Sequence, residues 1–195
     1  MASTTAVLTT GLRGTRVRDL ALVLGGTVFI AASAQIAIPL PFSPVPLTGQ
    51  TLAVLLTGAS LGAQLATSST VLYLAAALAG LPVLAPTETD GHLTGADVLR
   101  MPTLGYVIGF VLAAFIVGRL AERGYTRSGA RTMLAMLVGN TVIYALGLLW
   151  LHRALSATWA DTIAWGLTPF LLGDAVKVFI AAGLLPTAWR VIRTR

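Results

Sequence analysis

Ile163-Ala164-Trp165-Gly166-Leu167-Thr168-Pro169-Phe170-Leu171-Leu172-Gly173-Asp174-Ala175-Val176-Lys177-Val178-Phe179-Ile180 opens a stretch that stays apolar to Ala188 and holds two charges. A membrane-crossing helix needs about 20 predominantly apolar residues, and this stretch has them. Asp174 stands about eleven residues in, which an unbroken helix places roughly 16 Å along its axis, near the middle of a hydrocarbon layer about 30 Å thick. An ionisable side chain there costs at least about 2.5–3.5 kcal/mol, so it must face the bundle interior and find partners. Asp174 and Lys177, spaced i,i+3, share one helix face. Lys177 is the only lysine in the chain.

Working outward, five more apolar stretches fall at 20–38, 51–66, 68–85, 104–121 and 132–151. The second and third are parted by the small polar patch Thr67, Ser68, Ser69. The expectation is an all-α integral membrane protein of six transmembrane helices. Composition agrees: of 195 residues, 56% are hydrophobic and only 10% charged, against roughly 25% charged in soluble domains. Mean hydropathy is +0.85. This excludes a soluble enzyme and a disordered chain. The net charge of +6 does not point to nucleic acid, because the basic residues are few and scattered among apolar runs.

Charge fixes the expected orientation. With a cytoplasmic N-terminus, the inner segments carry Arg13, Arg16, Arg18, Arg119, Arg123, Arg127, Arg131, Arg190, Arg193 and Arg195, ten of the thirteen basic residues. The outer segments carry Glu88, Asp90, Asp97 and Asp161, with only Arg100 and Arg153. Both termini are therefore expected inside. The domain plan is a tail at 1–19, a membrane domain at 20–188 and a basic tail at 189–195. Trp150, Trp159, Trp165 and Trp189 fall at or near span ends, where interfacial aromatics belong. Arg13–Arg18, the run from Leu20 and Ala32-Ser33-Ala34 imitate a cleavable signal peptide. The run continues through Ile36-Ala37-Ile38, so a retained first helix is expected.

Between the first two stretches lies Ile38-Pro39-Leu40-Pro41-Phe42-Ser43-Pro44-Val45-Pro46-Leu47-Thr48-Gly49-Gln50, with four of the nine prolines. Each proline pushes its predecessor out of the helical region, so the segment must be extended. Its backbone polar groups must be covered by protein or line a cavity. It reads either as a rigid connector or as an outer wall over a ligand site, and Gln35, Thr48 and Gln50 bracket it.

The buried pair itself admits three readings: a packing lock, a proton relay, or a grip on a polar ligand in an apolar pocket. A relay wants several carboxylates at depth, and only one is visible. Tyr106 and Asn140 are further polar candidates, Tyr106 as ligand contact or interfacial anchor, Asn140 as a helix-packing hydrogen bond. There is no cysteine, and His92 and His152 lie far apart, so no metal site and no cofactor are expected. A phosphate loop is missing, as are a Ser-His-Asp set and a His-Glu-x-x-His motif.

Ala34-Gln35-Ile36-Ala37-Ile38 through the proline segment to Thr51-Leu52 resembles the signature of the BioY-type biotin transporter family. The substrate-capturing S components of energy-coupling-factor (ECF) importers have this form. Leu72-Tyr73-Leu74, Gly80-Leu81-Pro82-Val83, Pro102-Thr103, Gly105-Tyr106, Gly109-Phe110 and Asp174-Ala175-Val176-Lys177 extend the resemblance over about 20–185. It implies a six-helix protein of a prokaryotic plasma membrane that binds biotin near its outer face. The implied partners are a transmembrane T component and two ABC-type ATPases. It implies that Asp174 accepts from the ureido N–H groups and Lys177 donates to the ureido carbonyl, with the valerate pointing outward to Arg100. Tyr106, Gln35, Thr48 and Gln50 join the expected site. Thr27 and Ala31 match the small-residue face of the first helix toward the T component. Two rival readings are an integral membrane enzyme using Asp174 as acid or base, and an assembly factor whose pair only fixes packing. The sequence leaves the oligomeric state open, a homo-oligomer included.

Overall fold

The computed structural model describes residues 16–87 and 91–193. Arg13, Glu88, Asp90 and Arg195 lie outside the described residues, as do the side chains of Trp189, Arg190 and Arg193. The order is α1 (Arg16–Ala34), β1 (Ala37–Leu40), β2 (Ser43–Thr48), α2 (Gln50–Leu61), α3 (Ala63–Leu78), α4 (Leu104–Glu122), α5 (Gly129–Leu155), α6 (Trp159–Gly166) and α7 (Leu171–Arg193). Short 3₁₀ turns occupy Gly95–Arg100, Tyr125–Arg127 and Thr168–Phe170. Four helical segments are long and apolar enough to cross a membrane: Arg16–Ala34, Leu104–Glu122, Gly129–Leu155 and Trp159–Ala188, the last including the turn between α6 and α7. The apolar helices α2 and α3 are shorter.

α4 is the central element, packed on α2, α3 and α5, and its buried face runs from Leu104 to Ala121. The outer faces stay greasy, as lipid contact requires: Leu20, Val28, Leu137, Leu172 and Phe179 are all exposed. α7 turns Asp174, Val178, Ala181 and Leu185 inward, a stripe at helical spacing that carries one carboxylate among apolar neighbours.

Three boundaries differ from the sequence reading. The second and third apolar stretches part at Gly62, not at Thr67-Ser68-Ser69. Gly62 has φ 83° and ψ 174°, a backbone state essentially confined to glycine. The polar patch continues as helix, because the Ser69 and Thr70 hydroxyls donate to Leu65 O and Ala66 O one turn back. α3 ends at Leu78, ahead of Gly80 at φ 98° and Pro82, well short of residue 85. The last stretch is not one helix: Pro169 has no N–H to give and the chain breaks between Gly166 and Leu171.

The proline segment adds strands to an otherwise helical chain. β1 and β2 pair antiparallel, Ala37 with Thr48 and Ile38 with Leu47, with an irregularity between Ile38 and Leu40. Pro39 stands at that irregularity, where a ladder donor is missing. Val45 is buried, and Ser43 Oγ donates to Trp165 O at 2.8 Å. The hairpin is thus fastened to α6.

Candidate functional site

The hairpin, α2, the start of α4, α5 and the α6–α7 break surround a partly open cavity of about 670 Å³. That lies within the roughly 300–1,000 Å³ typical of small-molecule sites. Much of its lining is apolar: Pro39, Pro41, Phe42, Pro86, Met101, Pro102 and Trp165 contribute. Its polar lining includes Thr48, Gln50, Thr51, Tyr106, Tyr144, Asp174 and Lys177, with Ser43, Thr87 and Thr103 besides. The lining of α4 comes from its N-terminal part, through Tyr106, Val107 and Phe110. Arg119, Arg123 and Arg127 lie at its other end.

The break before α7 changes how Asp174 is held. The carboxylate lies in the first turn of α7 rather than mid-helix, where the helix dipole favours negative charge. It is 5% exposed. Lys177 Nζ donates to Asp174 Oδ1 at 3.0 Å, to Thr51 Oγ1 at 2.7 Å and to Thr48 O at 2.9 Å. All three ammonium protons are therefore engaged. Thr51 Oγ1 also lies 3.5 Å from Asp174 Oδ1, and the Tyr144 hydroxyl donates to Asp174 Oδ2. A buried ion pair is tolerable when its remaining donors and acceptors are satisfied in this way.

The other polar groups are held from behind. Gln50 Nε2 donates to the Tyr73 hydroxyl at 2.6 Å, and the Tyr106 hydroxyl donates to Gly166 O at 2.9 Å. Tyr106 and Tyr144 meet edge to face, ring centres 6.4 Å apart. A side chain at Gly147 would overlap the Tyr106 ring, so the close approach of α5 at that point requires glycine.

Of the expected substrate residues, Asp174, Lys177, Tyr106, Thr48 and Gln50 line the cavity, whereas Gln35 and Arg100 do not. Gln35, just past the end of α1, spans from that helix to the backbone beyond α3, with Nε2 3.1 Å from Ala31 O and 3.4 Å from Leu84 O. The Arg100 side chain is exposed, next to the lining residue Met101. Thr27 is buried: its hydroxyl donates to Val23 O and, across the α1–α3 contact, to Ser69 O at 3.0 Å. Ala31 packs partly buried against the core. The expected outward face of α1 is therefore rotated, and Ala21, Gly25 and Ala32 are the small residues left exposed.

Sequence reasoning missed Tyr144 and Thr51. Tyr144 follows Asn140 by one helical turn and shares its face, a signal that was available. Thr51 adjoins Gln50 at the end of the proline segment. Asn140 itself lines a small hollow with Leu55, Met136 and Lys177, and its Oδ1 accepts no hydrogen bond, so the expected helix-packing bond to that oxygen is not made. His92 Nδ1 lies 2.8 Å from Leu84 O, and His152 stacks on Trp159. Trp150 Nε1 donates to Met101 O at 2.9 Å, so two of the expected interfacial tryptophans also act as packing struts.

A largely apolar chamber with a charged, hydrogen-bonded interior, set in a bundle of apolar helices, marks a membrane protein with a cavity of small-molecule size. The chain belongs to the BioY family, which it matches over residues 3–194. It is 36% identical to the biotin transporter BioY of Thermotoga maritima, over 80% of this chain and 86% of that one. It is also 36% identical to the biotin transporter BioY of Rhodobacter capsulatus, over 84% and 88%. Its fold matches a crystal structure of the S component for biotin from an ECF-type ABC transporter, at TM-score 0.77 and 27% identity, over 94% of this chain and 95% of that chain. These relatives are biotin transporters and a transporter's S component, and neither the enzyme reading of Asp174 nor the assembly-factor reading finds support among them.

Proposed function

We propose that this chain binds biotin in the cavity between the hairpin and α7 and serves biotin uptake as the S component of an ECF-type importer. The observation that carries this reading is the Asp174–Lys177–Thr51–Tyr144 cluster inside an apolar-rimmed chamber, in a chain of this family. The ureido ring of biotin presents two N–H donors and a carbonyl acceptor on an apolar bicycle. Asp174 has acceptor capacity left beyond Lys177 and Tyr144. Lys177 has no spare proton, so its bond to the ureido carbonyl replaces one of its present bonds, that to Thr51 being the one a side-chain rotation releases. Gln50 and Thr48 complete the polar wall, and Tyr106 closes against the bicycle. Biotin then enters ring first and its valerate leads out past Met101. Arg100, exposed beside that exit, attracts the anion through solvent instead of clamping it.

The proposed topology has six crossings, α1 to α5 and the α6–α7 unit, with both termini cytoplasmic. The turn bearing Arg123 and Arg127 lies at the opposite end of α4 from the cavity, so the positive-inside rule puts the cavity outside. Gly62 belongs to the inner end, since Ala63 N donates to Glu122 Oε1 at 2.8 Å. A T component and two ABC-type ATPases supply the driving force. The T component meets the small-residue face Ala21, Gly25, Ala32, where close helix approach is open. The test is calorimetric titration of the purified chain with biotin, paired with labelled-biotin uptake in cells with and without the partner subunits. Absence of biotin binding refutes the reading.

A further inference from the structure

The cavity separates its polar and apolar parts, and that separation bears on which biotin derivatives fit. The ion pair and its partners gather where α2 meets α7, and the rest of the lining is largely apolar, with Pro41, Phe42, Pro86, Met101, Pro102 and Trp165 beside Ser43, Thr87 and Thr103. Among the described residues lining the chamber the cation is Lys177, and its three donors are taken by Thr48, Thr51 and Asp174. A ligand seated ring first therefore brings its carboxyl end to a largely apolar collar with no second cation among the described lining residues. Burying an unpaired carboxylate against such a collar is costly, whereas a neutral amide loses less on partial desolvation.

We infer that the site accepts biotin derivatives whose carboxyl group is amidated, including ε-N-biotinyl-lysine, alongside free biotin. This rests on the biotin reading above. The chemistry that supplies such amides is proteolysis of biotinylated proteins. The chamber grips the ureido head, and the acyl end is selected only by passing the collar. A charge at a solvated rim changes affinity by less than about tenfold. Removing one partner of a buried, clamped pair costs about thirtyfold or more.

Titration of the full chain in detergent with biotin, biotinamide and ε-N-biotinyl-lysine tests this. Both amides are expected to bind within about tenfold of biotin. If biotin binds and biotinamide is weaker by about thirtyfold or more, a clamp holds the carboxylate and the inference is overturned. If biotinamide matches biotin and biotinyl-lysine fails, the collar closes behind the ligand and the inference is likewise overturned. If biotin itself does not bind, the functional reading falls first, which separates the two failures.

Discussion

The Tyr144 hydroxyl on α5 donates to Asp174 Oδ2 on α7, while Lys177 holds the other carboxylate oxygen at 3.0 Å. The carboxylate is therefore oriented by a neighbouring helix as well as by its own. Asp174 also lines the chamber, so on the proposed reading biotin meets a prearranged acceptor. Prearrangement of this kind lowers the ordering cost of binding.

Asp174→Asn puts an amide donor against donors already present, Lys177 and Tyr144, and leaves the ammonium without its counterion. Breaking a buried pair costs about 3–5 kcal/mol. Biotin affinity by calorimetry is expected to fall by about a hundredfold or more. Unchanged affinity would remove Asp174 from the site.

Tyr144→Phe keeps the ring and its edge contact with Tyr106 but deletes the donor to the carboxylate. A hydrogen bond to a charged group contributes about 1.5–3 kcal/mol. The expected result is roughly ten- to a hundredfold weaker biotin binding with the helical circular dichroism retained. Full affinity in this variant would mean that Lys177 alone orients Asp174.

Gln50→Leu removes a donor from a buried pair and leaves the Tyr73 hydroxyl, deep in α3, without its partner. An unsatisfied buried polar group costs about 1–3 kcal/mol. The thermal unfolding midpoint in detergent is expected to drop, and Gln50→Leu combined with Tyr73→Phe should recover part of it. A double variant no better than the single one would contradict this pairing.

Gly25→Leu and Thr27→Leu separate the two faces of α1. A side chain at Gly25 meets nothing within 4 Å, so biotin binding by the isolated chain should stay intact while coupled uptake in cells is lost. Thr27→Leu should destabilise the fold itself, because it forces bulk into the α1–α3 contact. Intact uptake with Gly25→Leu would place the partner on another surface.

The membrane class, the mostly helical fold and the pairing of Asp174 with Lys177 on one helix face were legible along the chain, because hydropathy and i,i+3 spacing are local properties. Thr27 shows where that stops. The family resemblance put it on an outward contact surface, yet its hydroxyl reaches Ser69 O 42 positions away, and nothing local says which face of α1 meets α3. Gln35 and Arg100 failed to join the cavity for the same reason: proximity along the chain to the proline segment and to Pro102 does not set the direction of a side chain. The helix break at Pro169 was visible in the letters but was overridden by the continuous hydropathy around it.

By itself the sequence determined that this chain lives in lipid and that one charged couple must turn inward, since a run of apolar residues cannot solvate charge in any other way. Only the tertiary structure decided that Thr51, 123 positions from Asp174, and Tyr144, 30 positions from it, complete that couple. Hydrogen bonds between helices depend on crossing geometry, which is a property of the packed bundle and of no single segment.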